Sequence, residues 1–309
     1  MHARVSTFGV AVFCVAVFAL LAIAPPAWAD FRLERRLALA PGGLFVLSTD
    51  LGSVTLAGDS PSGVVVTVTA ERDDVDRRMD FQFQEQAGTV RVTATRRSSI
   101  TSWLDSWRSG MNVRFTVHVP RRTAVSIDTA GGSIQLSSVD GHTQLRTSGG
   151  ALTVDDVMGD LMARTSGGAI RVARVAGAVD VRTSGGPIDV ATVRGSVSAE
   201  TSGGPIQVRD AGGRVEARTS GGPITVTFAP GNARGGVLAT SGGGVSATVD
   251  PAMALSIDAS TSGGAVSSDL AIANRGPVSR NALRGDLNGG GAVLQVRSSG
   301  GPIRVSAGR

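Results

Sequence analysis

The sequence has 309 residues and contains neither lysine nor tyrosine, so all 30 of its Lys and Arg positions are arginine. Its single cysteine, Cys14, excludes an internal disulfide and a multi-cysteine metal site. Aromatic residues make up only 4% of the chain, whereas glycine occurs 42 times. This composition favours a thin, repetitive β structure over a bulky α/β enzyme. The formal net charge is +5 and no long block of like charge occurs, which argues against nucleic-acid binding.

Residues 1–29 have the pattern of a cleaved secretory signal peptide. Arg4 precedes an apolar run, Val10–Ala24, that is shorter than the roughly 20 residues of a membrane span. The run leads to Ala-Trp-Ala at residues 27–29, which fits a cleavage site. The alternative is a retained N-terminal anchor. We therefore expect an exported protein in the periplasm, at the cell surface or outside the cell, whose mature chain has lost Cys14.

One motif, T-S-G-G, recurs along the second half of the chain. From Thr129 to Thr219 a threonine opens T-A-G-G or T-S-G-G at every interval of 18 residues, and later copies follow at longer intervals. Self-similarity of this kind indicates a repeat architecture. The residues that open the motif are Thr129, Thr147, Thr165, Thr183, Thr201, Thr219, Thr240, Thr261 and Ser298.

Each repeat predicts two short strands. Aliphatic side chains recur five and seven residues after the threonine, as in Ile188 and Val190, with mostly polar residues between them. This alternation is typical of a strand with one buried face. A second turn, with a glycine such as Gly177, precedes a second alternating segment. Two short strands do not fold alone, so we expect successive coils to stack in register by parallel pairing, about 4.8 Å apart.

These patterns predict an all-β protein built on a parallel β-solenoid (β-helix) of 18-residue coils. We expect the solenoid in residues 121–309, with an irregular excursion or cap at about 269–292. Residues 30–120 contain further alternating segments and a degenerate first rung, Phe45–Leu56. They are predicted to form an irregular β N-terminal cap, because an open solenoid end would pair with other chains.

Alternation along the strand also assigns a direction to each residue of the T-S-G-G motif. Thr183 is predicted to point inward, where its hydroxyl can bond the backbone of an adjacent coil, and Ser184 to point outward. The glycines are predicted to adopt positive φ and to permit close approach between coils. The predicted turn glycines are Gly149, Gly150, Gly167, Gly168, Gly185, Gly186, Gly203, Gly204, Gly221 and Gly222.

Three features resemble the bacterial putative-adhesin family of β-strand-repeat proteins, a domain of unknown function. They are a strand ending in Val-Pro at residues 113–120, the T-S-G-G-x-I-x-V array, and N-G-G-G at residues 288–291 before the last rung. The resemblance covers most of residues 45–305. It implies an exported envelope or surface protein with a β-solenoid fold and supplies no catalytic residues. This chain departs from common members because its turns read T-S-G-G-P rather than an acidic S-G-D type.

The sequence offers little for catalysis. T-S-G-G lacks the glycine two positions before the serine that a G-x-S-x-G nucleophile elbow requires, and no lysine is available to activate a serine. His118 and His142 do not recur beside the serines, and two histidines need carboxylates to complete a zinc site. The carboxylates of residues 71–76 are predicted to form a solvated turn; a calcium site is the alternative. We predict a non-enzymatic protein without cofactor or metal. A carbohydrate-active β-helix enzyme is disfavoured, because short coils with tight turns leave little room for a cleft.

One column of charged residues is the candidate binding site. The residue before the threonine is arginine in four repeats and glutamate in one, Glu200, and it has the outward parity. Stacked at coil spacing, these arginines are expected to contact phosphate or carboxylate groups of envelope glycans, or the acidic face of a surface protein. The alternative is a solvated face whose charges discourage lateral aggregation. The ladder consists of Arg146, Arg164, Arg182 and Arg218.

A second candidate lies in the N-terminal region. Ile100, Trp103, Leu104 and Trp107 have the i, i+3, i+4, i+7 spacing of one short amphipathic helix. We predict that this segment packs on the N-terminal cap; the alternative is an aromatic patch, Trp103 and Trp107, that contacts a partner or a membrane.

The sequence therefore predicts an exported, non-enzymatic β-solenoid that acts as a cell-surface or envelope interaction scaffold, plausibly adhesive. A structural or regulatory envelope component without an external ligand is the alternative.

Overall fold

A computed structural model describes residues 31–97, 112–276 and 279–308. The predicted signal peptide and the predicted helix with Trp103 and Trp107 lie outside these residues. The described chain contains 27 strands and one four-residue helix, α1 (Val75–Arg78). The strands of its first part are β1 (Phe31–Leu37), β2 (Leu44–Thr49), β3 (Ser53–Ser60), β4 (Val64–Ala70), β5 (Met79–Gln86), β6 (Thr89–Arg96), β7 (Val113–Pro120), β8 (Ala124–Thr129) and β9 (Ile134–Val139). Those of the regular part are β10 (Thr143–Thr147), β11 (Leu152–Val157), β12 (Leu161–Thr165), β13 (Ile170–Val175), β14 (Val179–Thr183), β15 (Ile188–Val193), β16 (Val197–Thr201), β17 (Ile206–Ala211), β18 (Val215–Thr219), β19 (Ile224–Phe228), β20 (Gly236–Thr240) and β21 (Val245–Val249). The last are β22 (Leu255–Thr261), β23 (Val266–Ser268), β24 (Ala273–Asn274), β25 (Ala282–Leu287), β26 (Ala292–Ser298) and β27 (Ile303–Ala307).

The strands form two long sheets that face each other. Sheet A has 13 strands in the order β1-β4-β7-β3-β9-β11-β13-β15-β17-β19-β21-β27-β23. Sheet B has 14 strands in the order β24-β25-β22-β26-β20-β18-β16-β14-β12-β10-β8-β2-β6-β5. Each coil contributes one strand to sheet B and the next to sheet A, and the T-S-G-G corner joins them.

Adjacent coils pair in parallel and without register shift through most of the regular part. Ile170 lies opposite Ile188 and Val172 opposite Val190 in sheet A, while Val179 lies opposite Val197 in sheet B. Identical sequence columns therefore become vertical columns of the rod. The predicted fold class, a parallel β-solenoid, is confirmed.

The core lies between the two sheets and consists of the aliphatic columns. Ile188 and Val190 from sheet A, like Val181 and Val197 from sheet B, are at most 1% exposed. Burying one such side chain contributes about 1.5–3 kcal/mol relative to exposure. Because each coil supplies only a few of them, a coil is stable only between neighbours.

The order of coils along the rod differs from their order along the chain at both ends. The coil β2–β3 is second, because β6–β7 stacks outside it, and the C-terminal coil β26–β27 lies between β20–β21 and β22–β23. The sequence series, in which Ser298 follows Thr261, suggested instead that the last motif ends the rod. The eleven coils run in the order β6–β7, β2–β3, β8–β9, β10–β11, β12–β13, β14–β15, β16–β17, β18–β19, β20–β21, β26–β27 and β22–β23.

Antiparallel strands are added at both ends of the rod, in both sheets at one end and in sheet B at the other. At one end β4 pairs with β7 and β1 with β4, while β5 pairs with β6. At the other end β25, which lies within the excursion at residues 269–292, pairs with β22 in sheet B, while sheet A ends in the parallel strand β23. Residues 30–120 contribute strands to both sheets of the rod: β3 and β7 belong to sheet A, and β2 and β6 to sheet B. Neither sheet is therefore interrupted at residue 120.

In the ranges that the structure describes, no helix has the length and apolar character needed to cross a membrane.

Candidate functional site

The threonine of each T-S-G-G corner is a structural residue. Thr183 is 6% exposed, and its Oγ1 donates a hydrogen bond to the carbonyl oxygen of Gly168 in the preceding coil at 3.0 Å. The same Oγ1 accepts a hydrogen bond from the backbone N–H of Gly186 at 3.3 Å. Thr201 makes the equivalent pair of bonds to Gly186 and Gly204. The inward direction predicted for the threonine is confirmed.

The serine of each corner points outward. Ser184 is exposed, as are its counterparts in neighbouring coils. Its backbone N–H bonds to the carbonyl oxygen of Ser166, so the serines form one column along the edge of the rod. No described side chain hydrogen-bonds to the hydroxyls of this column. The members are Ser148, Ser166, Ser184, Ser202 and Ser220.

The two glycines of each corner have different roles, and the predicted positive φ is wrong for both. Neither Gly185 nor Gly186 has a left-handed φ. A β-carbon on Gly186 would overlap the carbonyl oxygen of Gly168, whereas the nearest atoms to one on Gly185 lie 3.9 Å away. Close coil-to-coil approach, the second predicted role, therefore belongs mainly to the second glycine of the pair, although a β-carbon on the first glycine Gly221 would also come within 3.1 Å of the Gly203 carbonyl oxygen.

The structure brings the four predicted arginines into one column on the outer face of sheet B. Arg146 lies opposite Arg164, Arg164 opposite Arg182, and Glu200 separates Arg182 from Arg218. The column runs beside the exposed serines, with only the buried threonine between them. We call this surface, the arginine column together with the serine column, the T-S-G-G edge.

Carboxylates two residues before the arginines neutralise much of the column. Asp180 pairs with Arg182 at 3.2 Å and with Arg164 at 3.5 Å. Glu216 pairs with Arg218 at 3.1 Å. These ion pairs could have been anticipated from the sequence, since both acids occupy the neighbouring outward position of the same strands as the arginines. Alignment of the arginines alone does not predict the pairs.

Glu216 stays ionised at neutral pH. A hydrogen bond from Arg218 lowers the pKa of its carboxyl group, and this effect together with that of Arg214 outweighs burial, which acts to raise the pKa. The positive charge of Arg218 is therefore compensated locally.

Arg146 differs from the other members of the column. It is exposed and makes no ion pair within the described chain. Arg164, its neighbour, has only the 3.5 Å contact to Asp180, and its buried Nε has no hydrogen-bond partner among the described residues. Arg146 lies opposite Asp128 in the same column but makes no ion pair with it, so Arg146 and Arg164 are the members of the ladder least engaged by carboxylates of the described chain.

The remaining polar residues form no recognisable catalytic or metal site in the described chain. His118 Nδ1 lies 2.7 Å from Asp59 Oδ1, but no described serine or threonine hydroxyl hydrogen-bonds to this histidine. In the acidic segment at residues 71–76, Asp74 is engaged by Arg78 at 2.6 Å. No group of three or more potential His, Cys, Asp or Glu ligands is found among the described residues.

The fold and the edge define a class: a two-sheet parallel β-solenoid with in-register side-chain columns. Residues 53–306 match the family model described as Toastrack DUF4097, and the chain belongs to this family. A comparison with curated proteins finds no match.

Several solved structures are similar over most of their length. A putative adhesin from Bacteroides fragilis is 9% identical, with 91% of this chain and 98% of that chain covered and a TM-score of 0.42. A putative lipid binding protein from Parabacteroides distasonis is 11% identical, with 90% and 97% covered and a TM-score of 0.42. A putative cell adhesion protein from Clostridium sporogenes is 9% identical, with 90% and 100% covered and a TM-score of 0.22. Similarity at this level does not indicate what this chain binds.

Proposed function

We propose that this protein is an exported, non-enzymatic scaffold that binds an anionic envelope or surface partner through the T-S-G-G edge. The observation that carries the proposal is the in-register stacking of arginines, half-buried at Arg164 and exposed at Arg146 and Arg182, beside a column of exposed serines. From Arg146 to Arg182 this rod presents an arginine in each of three successive coils, about 4.8 Å apart. A partner with repeating anionic groups, such as an acidic envelope glycan, matches that regularity.

Binding is expected at the Arg146–Arg164 end of the edge. These two guanidinium groups are adjacent, and the hydroxyls of Ser148 and Ser166 lie beside them on the same outer face. A guanidinium group can donate two parallel hydrogen bonds to one carboxylate or phosphate group. Further along the rod, Arg182 and Arg218 are occupied by carboxylates of this chain and contribute less.

The interleaved acids favour a second candidate function. A column in which Arg182, Glu200 and Arg218 alternate is also suited to keeping rods apart, because charged surfaces discourage lateral association of β structure. The protein would then be a structural or regulatory envelope component without an external ligand.

Co-sedimentation with a carboxylate-rich envelope polysaccharide tests the proposal, with neutral dextran as the reference. We expect the full mature chain to bind the acidic polymer, and Arg146→Gln/Arg164→Gln to weaken binding about tenfold or more, since charged hydrogen bonds are worth about 1.5–3 kcal/mol each. Arg218→Gln is the matched control and is expected to change affinity by less than about twofold, because Glu216 already compensates this arginine.

Failure of the wild type to bind acidic polymer, or equal binding by the double variant, contradicts the proposal and favours the structural role. Ser184→Ala is expected to leave binding unchanged, and a large loss of any activity from that change alone would contradict the non-enzymatic assignment.

A further inference from the structure

A column of prolines on the outside of sheet A is interrupted at one coil. In four coils the residue that follows the G-G pair is an exposed proline: Pro187, Pro205, Pro223 and Pro302. The register places Gly244 in this column between Pro223 and Pro302, because Val245 lies opposite both Ile224 and Ile303. The C-terminal coil creates this arrangement by inserting beside β21. Where its neighbours present a pyrrolidine ring, Gly244 presents no side chain.

The missing ring opens a cleft of about 310 Å³ in the surface. This volume is within the range of small-ligand pockets, which begin at about 300 Å³. Its apolar walls are the proline rings of Pro223 and Pro302, with Gly244 between them. Its polar side is formed by four residues of the adjoining outward column, Thr225, Ser246, Arg304 and Ser267.

Arg304 is the only charged residue among those that line this cleft. Its neighbours in the column are Ser246 on β21 and Ser267 on β23, so hydroxyl groups flank it on both sides. Arg304 is exposed and has no carboxylate within ion-pair distance among the described residues. The Ser246 hydroxyl likewise has no hydrogen-bond partner in the described chain. An unpaired guanidinium group with hydroxyls beside it is a site for an anion.

The same column contains a natural comparison at Arg171. Arg171 lies opposite Asp189 in the register of the sheet. The carboxylate of Asp189 accepts a hydrogen bond from Arg209 at 2.8 Å. The proline column there contains Ala169, Pro187 and Pro205 in successive coils, and the cleft is smaller, about 200 Å³. The Arg171 position thus has a nearby carboxylate and no gap between prolines, whereas the Arg304 position has no carboxylate partner and lies beside the gap between Pro223 and Pro302.

We propose that Arg304 and the gap at Gly244 form a binding site for a compact carboxylate, one whose carboxyl group is attached to a small ring. The carboxylate accepts hydrogen bonds from the guanidinium group of Arg304 and from the hydroxyl of Ser246. The ring occupies the place of the missing pyrrolidine, between Pro223 and Pro302. The site lies on the opposite sheet from the Arg146–Arg164 surface and does not depend on the function proposed for that surface.

Two classes of ligand carry a carboxyl group on a small ring: sugar acids and apolar ring acids. NMR titration of the isotopically labelled mature chain distinguishes between these two classes. The probes are D-glucuronate and cyclohexanecarboxylate, with the neutral cyclohexanecarboxamide as the charge control. We expect saturable shifts of the Ser246, Ser267 and Arg304 amides with at least one acid and none with the amide. Tighter binding of glucuronate identifies a sugar acid as the ligand class, and tighter binding of cyclohexanecarboxylate identifies an apolar acid.

Two variants separate the guanidinium group from the gap. Arg304→Gln is expected to weaken the preferred acid about tenfold or more. Gly244→Pro gives the corner the T-S-G-G-P sequence of its neighbours and is expected to abolish binding by filling the cleft. A β-carbon at this position would lie 3.0 Å from the carbonyl oxygen of Pro302, so thermal unfolding is measured first, and Gly244→Ala serves if the proline variant unfolds.

Arg171→Gln is the matched control and is expected to leave affinity unchanged. Shifts that do not saturate for either acid, equal binding of the neutral amide, or full affinity in Arg304→Gln would each overturn the proposal.

Discussion

At the scale of single residues, the two glycines of a T-S-G-G corner differ in what surrounds them. The second glycine faces the backbone of the preceding coil, so that a β-carbon on Gly186 meets the Gly168 carbonyl oxygen. The first glycine, Gly185, faces open space. Backbone atoms cannot move aside as a flexible side chain can, so the cost of a methyl group is expected to fall on one position only.

We predict that Gly186→Ala lowers the free energy of unfolding by about 2 kcal/mol or more, within the range of overpacking in a close-packed site. Gly185→Ala is expected to change it by less than about 0.5 kcal/mol, as for an ordinary surface substitution. Urea denaturation of both variants provides the comparison. Equal destabilisation by the two would show that the corner is not built on close approach at the second glycine.

A different column carries the left-handed backbone. Ser138, Asp156, Arg174, Thr192 and Asp210 occupy equivalent positions near the ends of the sheet A strands, and their φ values lie between 53° and 60°. Thr192, at φ 54°, is β-branched, and such residues are strained in this region. No glycine or asparagine marks the column, and only Asp156 and Asp210 belong to a residue type enriched in the left-handed region, so the sequence signal for it was weak.

We predict that Thr192→Asn raises the free energy of unfolding by about 0.5–1 kcal/mol, because asparagine tolerates the left-handed region. Thr153→Asn is the control: Thr153 is exposed, but its strand backbone is not left-handed, so this change is expected to be neutral or slightly destabilising. Thermal unfolding measures both, and a loss of stability in Thr192→Asn would contradict the assignment of strain.

At the scale of elements, the C-terminal end of the rod is held by charge as well as by strand pairing. Asp258 on β22 bonds to Arg297 on β26 at 2.5 Å and to Arg284 on β25 at 3.2 Å. The Arg297 hydrogen bond lowers the pKa of Asp258; burial opposes this shift and Arg284 adds to it. A lowered pKa in the folded state means that the interaction stabilises the fold above the ordinary pKa of aspartate and is lost as pH falls through the lowered value.

We therefore predict that Asp258→Asn is less stable than the wild type at neutral pH and that the difference shrinks as the pH falls through the lowered pKa of Asp258, where the wild-type carboxylate becomes protonated as well. Asp128→Asn is the control, since Asp128 is exposed and makes no ion pair in the described chain. Melting temperatures across the acid range test this, and a difference that persists at low pH would place the effect in packing rather than in charge.

Much of this element-level structure could be predicted from sequence because a solenoid repeats its local rules. Period-two alternation sufficed to place Thr183 inward and Ser184 outward and to align the arginines in one column. The acids Asp180 and Glu216 show the limit, since ion pairing depends on side-chain reach between columns. The cleft at Gly244 could not be predicted either, because it depends on which coil stacks beside β21.

At the scale of the whole molecule, the first and the last coil of the sequence lie inside the rod rather than at its tips. The first coil, β2–β3, and the last, β26–β27, each pair with a neighbour on both sides. Other segments of the chain stack outside these two coils, and the outermost strands are β1 and β23 in sheet A and β5 and β24 in sheet B. This arrangement limits the exposed strand edges through which solenoids aggregate. Sequence order could not reveal it, because the repeat is nearly the same in every coil.

The central claim is that internal coils are interchangeable rungs of one rod, with binding carried by particular outward columns. Deletion of residues 184–201 tests it directly, because this cut joins Thr183 to Ser202 and restores a T-S-G-G corner while removing one coil. Small-angle scattering and thermal unfolding of the shortened chain are then compared with the wild type.

We predict a soluble, cooperatively unfolding rod that is shorter by about 4.8 Å and keeps its affinity for acidic polysaccharide, since Arg146 and Arg164 remain. A shortened chain that aggregates or loses its β structure would contradict the stacked-rung account.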